Sequence, residues 1–257
     1  ANINGLGHLE IGGMDVVDLV KRYKTPIYLY DEMTIRNRMR EFVSSLRETY
    51  SKSKVLFAGK AFLIKRIVKI TEEEGLGLDV VSGGEIYAAK EAGFPMENVY
   101  FHGNNKTMEE LSFAINTGVG SIVVDNLSEL KFLSSLVKRR PVNILFRLTP
   151  GVDPHTHSYI NTGRVDSKFG FQLDSDDLKE AIGIVKSDTF LNFTGLHCHI
   201  GSQIFDTGFF RMASEIMAKQ TVEFTRKWDL PVKELDLGGG LGIAYKPEDD
   251  PPTPKEM

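Results

Sequence analysis

Gly77-Leu-Asp-Val-Val-Ser-Gly-Gly-Glu-Ile-Tyr-Ala-Ala-Lys-Glu-Ala-Gly-Phe-Pro-Met-Glu-Asn-Val-Tyr-Phe101 spells one complete strand–helix–strand unit. Leu78-Asp-Val-Val81 is a short β-branched run. Ser82-x-x-Glu85 has the form of a capping box, in which hydroxyl and carboxylate satisfy the first orphan N–H groups of a helix. A helical pattern follows over Glu85–Glu91. Gly93 stands just past it, where a left-handed cap is needed, and Val99-Tyr-Phe101 opens the next strand.

The same phrase repeats on both sides at roughly 20–25 residues, the signature of parallel βαβ units. Val55–Ala58 precedes a helix at Phe62–Glu74. Val99–Phe101 precedes Met108–Asn116, started by a second box, Thr107-x-x-Glu110, and ended by Gly118. Ile122–Val124 precedes Leu127–Val137. Strands at Asn143–Leu148, Phe193–Ile200 and Glu234–Leu237 follow, with helices at Asp177–Lys186 and Phe209–Lys227. Seven strands suit a doubly wound sheet, and a (β/α)8 barrel needs eight. The expectation is α/β, a TIM-like (β/α)8 barrel cut short before its eighth strand. Ahead of it, Met14–Tyr23 reads as amphipathic, Ile27–Tyr30 as a strand and Glu32–Tyr50 as a long helix.

The net charge of −4 over 257 residues gives no electrostatic case for nucleic acid or an anionic membrane. No apolar run approaches the roughly 20 residues that span a bilayer. The single cysteine, Cys198, makes no internal disulfide, as suits a reducing compartment such as the cytoplasm.

Polar residues gather where strands end. Lys60 follows the Val55 run, at the carboxyl end of a parallel strand, where barrel active sites lie. A partly desolvated amine there is a usable Schiff-base nucleophile, and a strand-ending solubility lysine is the plain alternative. Four of six histidines form the pairs His155/His157 and His197/His199. His197 and His199 share one strand face. They read equally as metal ligands with His155 and His157 recruited, as a stacking surface for a flat ring, or as core histidines. Gly238-Gly-Gly240 is a backbone able to approach a phosphate, or simply a tight turn. Ser202 and Gln203 are candidate donors to the same anion, and Arg147 is expected to point inward from its strand. Thr149–Gln172 shows no period and reads as a functional loop on the same end.

Together these segments resemble the diaminopimelate decarboxylases, pyridoxal-phosphate enzymes with the alanine-racemase type of barrel. The residues that carry the resemblance are Phe57–Phe62, Gly77–Glu85, His102–Lys106, Pro150–His157, Asp166–Gly170, His197–Gln203 and Asp236–Gly240. The resemblance implies pyridoxal 5'-phosphate as cofactor and no metal. It implies Lys60 as the lysine that takes the cofactor aldehyde and His199 as the ring that stacks on it, these two being catalytic. Ser202 and the backbone of Gly238, Gly239 and Gly240 would hold the phosphate, with Asp79 and Arg147 lining the site. It implies an N-terminal segment over 1–30, the cofactor-binding barrel over 31–257, an amino-acid substrate and a homodimer. The family's Glu-Pro-Gly-Arg segment and C-terminal β domain are not in this sequence. A truncated barrel of low activity is therefore expected.

Overall fold

The computed structural model describes residues 1–152 and 168–257. It divides into two compact units, Ala1–Ser53 and Lys54–Met257. In the first, β1 (Asn2–Ile3), β2 (Leu9–Ile11) and β3 (Met14–Asp15) form an antiparallel sheet, followed by α1 (Val16–Tyr23) and α2 (Glu32–Thr49). Asp15 ties sheet to helix. Its carboxylate accepts from Val17 N at 2.8 Å as the cap of α1, and from Asn4 Nδ2 at 2.8 Å on the β1–β2 turn. The helix expected from Met14 therefore starts at Val16, and Met14 lies in a strand. Ile27–Tyr30, expected as a strand, is in no sheet. An apolar run supplies a backbone able to pair, but pairing needs a neighbour. The unit also keeps α2, although the sequence reading drew its boundary at residue 30. Asp31 caps α2 and lies against Gly12 of the β2–β3 turn, which joins the helix start to this sheet.

The second unit contains β4 (Leu56–Ala58), α3 (Lys65–Glu73), β5 (Gly77–Val80), α4 (Gly83–Glu91), β6 (Val99–Phe101), α5 (Met108–Thr117), β7 (Ser121–Val124), α6 (Leu127–Leu136), β8 (Val142–Thr149), β9 (Phe171–Gln172), α7 (Asp176–Ser187), β10 (Leu191–His197), α8 (Gly208–Lys227) and β11 (Glu234–Asp236). All seven expected strands are present. The path runs β4-β5-β6-β7-β8-β10-β11, every neighbour parallel, with short β9 paired to β8. Spatial order follows chain order without reversal. That is the winding of a barrel, since a doubly wound sheet reverses at a switch point.

The sheet curls. In a flat sheet β6 and β11, four places apart, would be held about 19 Å from each other at roughly 4.8 Å per strand. Instead Tyr100 Oη on β6 donates to Glu234 Oε2 on β11 at 2.8 Å. The chain folds as a TIM-like α/β half-barrel of seven strands, with β4 and β11 the outer strands among the described residues.

Side chains alternate across it. Leu78, Val80, Val99, Phe101, Ile122, Val124, Ile144, Phe146 and Leu196 point outward into a core shared with Ile86, Leu111, Leu130, Ile182 and Phe224 of the helices. On the concave face, Tyr100, Val123 and Leu145 pack with Leu56. In β10 a bulge between Phe193 and Gly195 shifts the register. Phe193 and Leu196 consequently both face the helices, three residues apart, and His197 turns inward.

At Gly195, β10 and β11 approach closely. A Cβ there would lie 2.0 Å from the Glu234 carbonyl oxygen, which is backbone and cannot turn away. Gly195→Ala is expected to push β11 off β10 and to cost at least ~2 kcal/mol, within the range for overpacking a tight site. The check is the urea midpoint of unfolding, measured beside Gly183→Ala, whose Cβ would meet nothing within 4 Å.

Candidate active site

The concave face changes character along the strands. Its lower layer is apolar. Toward the carboxyl ends it becomes polar, with Asp79 (β5), His102 (after β6), Asp125 (after β7), Arg147 (β8), His197 (β10) and Asp236 (β11) brought together by the curl. His102 Nε2 lies 3.9 Å from Asp79 Oδ1 and 3.7 Å from Asp236 Oδ2. The rings of His102 and His197 meet edge to face at 4.7 Å.

The electrostatics follow from burial. Desolvation and the neighbouring Asp236 raise Asp79 to about 7, with Lys60 opposing. Burial raises Asp236 to about 6, opposed by its hydrogen bond from Gly238 N at 2.8 Å. His102 and His197 are held well below the usual imidazole range, first by burial and then by nearby cations. Both are neutral near pH 7. Burial, then the Lys60 and Arg147 cations, lower His199 to about 4.

Lys60 sits in a single 3-10 turn, Gly59–Ala61, and α3 begins only at Lys65, later than expected. The amine is exposed at the mouth and not partly desolvated as the sequence suggested. Arg147 faces inward as expected, its Nη1 3.4 Å from Asp125 Oδ1 and its guanidinium 4.3 Å above the Phe169 ring. His199 lies one residue beyond Cys198, which points into the outer core beside the helices. Burial raises the Cys198 thiol to about 12, so it is inert at neutral pH.

Two loops complete the mouth. Ile204 N donates to Gly240 O and Gly242 N to Ile204 O, each at 2.9 Å. Gln203 clamps them further, donating from Nε2 to Ile243 O at 2.7 Å and accepting from Ile243 N at 3.0 Å. Gln203 therefore joins the loops and is not a free donor to an anion. Gly240 must be glycine, since a Cβ would lie 2.2 Å from Gly201 O. At Gly238, with φ of 70°, a Cβ would lie 2.5 Å from Cys198 O. Its N–H is committed to Asp236, so Gly238 gives the turn its shape while the turn's donor capacity rests on its neighbours. Beyond Gly239 the space is open, and Ser202, on the loop joined to the glycine turn, is exposed.

The expected loop begins in place. Thr149 Oγ1 donates to Phe169 O at 2.7 Å and Gly170 N to Asp125 Oδ2 at 3.1 Å, which ties residues 169–170 to the ends of β8 and β7. Phe171–Gln172, expected as irregular, is a strand. His155 and His157 lie outside the described residues.

Sequence reasoning assigned no role to His102, Asp125 or Asp236, though each is the polar residue that ends an apolar strand. It also missed Lys106 and Glu129. Lys106 Nζ donates at 2.7 Å to each of Gly103 O, Val123 O and Glu129 Oε1, satisfying all three of its protons inside the protein. This pair pins the 103–106 loop to β7 beneath the site.

Among known proteins, the profile of the "Pyridoxal-dependent decarboxylase, pyridoxal binding domain" matches residues 32–257. The chain belongs to the pyridoxal-dependent decarboxylases. Within that family it is 47% identical to diaminopimelate decarboxylase of Bacillus methanolicus over 97% of its length, and 47% identical to that of Bacillus subtilis over 96%. It spans 58% and 57% of those proteins, under two thirds of their length. The crystal structure of diaminopimelate decarboxylase from m. jannaschi, 34% identical, superposes with a TM-score of 0.88, covering 99% of this chain and 60% of that one.

The mouth fits the decarboxylase cofactor, pyridoxal phosphate. An exposed lysine amine, an imidazole at the rim and an open glycine turn flanked by a serine hydroxyl match an aldehyde, a flat ring and a phosphate. Below it, Lys106→Met is expected to destabilise the protein by ~3–5 kcal/mol by leaving Glu129 buried and unpaired, and Lys106→Met with Glu129→Leu to recover most of that. Urea denaturation of the two variants decides; equal losses would show that the pair matters only through packing.

Proposed function

We propose that the chain is the cofactor-binding part of a diaminopimelate decarboxylase, which converts meso-2,6-diaminoheptanedioate to L-lysine and CO2. The observation that carries this reading is Lys60, exposed after β4 of a singly wound parallel half-barrel and near enough to His199 and Asp79 for its charge to shift both. The names of the relatives support the substrate, as does a second structure of the m. jannaschii enzyme, in co-complex with L-lysine.

When bound, pyridoxal phosphate supplies an electron sink for the electrons left as CO2 departs. The chain's own residues do the placing. Lys60 would hold the cofactor through its aldehyde, and its exposed amine is placed to carry a proton at the mouth. His199, neutral at pH 7, offers a flat uncharged face to the ring. Ser202 and the Gly239–Gly240 backbone receive the phosphate on a platform already fixed by Gln203, so little ordering accompanies binding. Arg147, held by Asp125 and the Phe169 face, directs a fixed positive charge toward an anionic oxygen of cofactor or substrate. Asp79, raised to about 7 chiefly by burial, lines the base of the site within reach of the Lys60 charge. The resemblance also implies a homodimer acting in the cytoplasm. No helix among the described residues is long and apolar enough to cross a membrane.

The deciding test is borohydride reduction of the protein with pyridoxal phosphate, followed by peptide mass analysis. One pyridoxyl group on the Lys60 peptide, absent in Lys60→Ala, is expected. A cofactor distributed over surface lysines would refute the assignment. Ser202→Ala should weaken cofactor affinity about tenfold, the loss of a charge-assisted hydrogen bond of roughly 1.5 kcal/mol, read by fluorescence titration.

A further inference from the structure

Four buried side-chain polar atoms lack a hydrogen-bond partner among the described residues, and three of them converge on one spot: Asp79 Oδ1, His102 Nε2 and His197 Nδ1. That spot is not the rim where the cofactor residues stand. His197 precedes His199 by two residues, which sets it roughly 6.6 Å deeper along the strand direction. Asp236 likewise lies on β11, below the glycine turn. Donor atoms of His102, His197 and Asp236 all lie within 4.8 Å of one another, and Asp79 Oδ1 is 3.9 Å from His102 Nε2.

We propose that His102, His197 and Asp236, with Asp79 as a fourth donor, bind a first-row divalent transition-metal ion such as Zn2+ in the layer beneath the cofactor residues. Neutral imidazoles and carboxylates are the donors such ions take, whereas Mg2+ or Ca2+ would call for oxygen alone. Two of the donors are fully enclosed imidazoles, with side-chain exposure of 8% for His102 and residue exposure of 3% for His197. A buried nitrogen without a partner is costly, and a cation among them supplies one partner for all three orphaned atoms. The ligand shell is supported from behind. Asp236 Oδ1 is fixed by Gly238 N, which leaves Oδ2 facing His102. The bulge in β10 fixes the direction of His197. The two carboxylates, 23% and 21% exposed, give the ion its way in from the mouth. A tetrahedral Zn2+ shell has donors about 3.3 Å apart, since each metal–ligand bond is roughly 2.0–2.1 Å. Closing from 4.8 Å brings donors about 1.5 Å nearer to one another. His197 was a metal candidate by sequence, but with His199, His155 and His157 as partners. The curl instead gives it His102 and Asp236, which no spacing along the chain reveals.

The test is zinc binding by the chelator-treated protein without pyridoxal phosphate, so that its outcome is independent of the borohydride result. One Zn2+ retained per chain after dialysis is expected. His102→Gln and Asp236→Asn, shown to be folded by circular dichroism, should each weaken zinc binding at least about tenfold, the least that even outer-sphere partners contribute. X-ray absorption of the zinc-loaded unmutated protein should show two imidazole nitrogens at about 2.0–2.1 Å, which decides the matter if both variants unfold. No retained zinc, undiminished affinity in both folded variants, or a first shell of water oxygens alone would each overturn the proposal and leave a hydrated polar pocket in its place.

Discussion

A parallel sheet laid down in chain order can hide its second face only by bending until distant strands touch, and everything functional here depends on that bend. The Tyr100–Glu234 hydrogen bond records it at the lower level, where β6 meets β11 across the concave side. The apolar contacts of Val123, Leu145 and Leu56 line the same level. Above them the bend converges polar groups from six separate strand ends. In a flat sheet of the same order His102, at the end of β6, would meet neither His197 of β10 nor Asp236 of β11.

The vertical order of the site is a division of labour. Burial makes the charges above the floor matter, because desolvation is the first cause of the shifts at Asp79, His102, His197 and Asp236. The middle layer is enclosed and rich in imidazole and carboxylate. The rim is exposed, with an amine, a hydroxyl and glycine backbone. The proposed cofactor site belongs to the rim, and the proposed ion site to the enclosed layer. Lys106 and Glu129 support both from the side, a closed ion pair whose protons are all spent internally.

Much of the architecture was written in short-range signals. The seven strands are apolar runs bounded by caps and glycines, and the box at Thr107 forms with both of its hydrogen bonds. At Ser82 only half of it forms, because Glu85 reaches back to Val81 N instead. The three N-terminal strands and β9 escaped notice because two or three residues carry no periodicity and owe their existence to a neighbour. For the candidate site, the residues at the rim were legible because glycines, a lysine after a strand and paired histidines are unusual in themselves. Asp125, His102 and Asp236 were not, since one polar residue at a strand end is ordinary until curvature shows what it faces. The exposure of Lys60 and the internal use of Gln203 and Gly238 N–H were equally beyond reach, as both depend on which loop lies opposite.

The bulge in β10 makes the chemistry of this wall a matter of parity. Side chains beyond it keep their orientation only because one residue is left over between Phe193 and Leu196. Pairing that residue into the ladder, with every residue kept, would restore even alternation and exchange the two faces of everything that follows. Cys198 would then turn into the barrel and both histidines toward the helices. A wall of nitrogen donors would become a lone thiol, with no residue from His197 to Gln203 replaced.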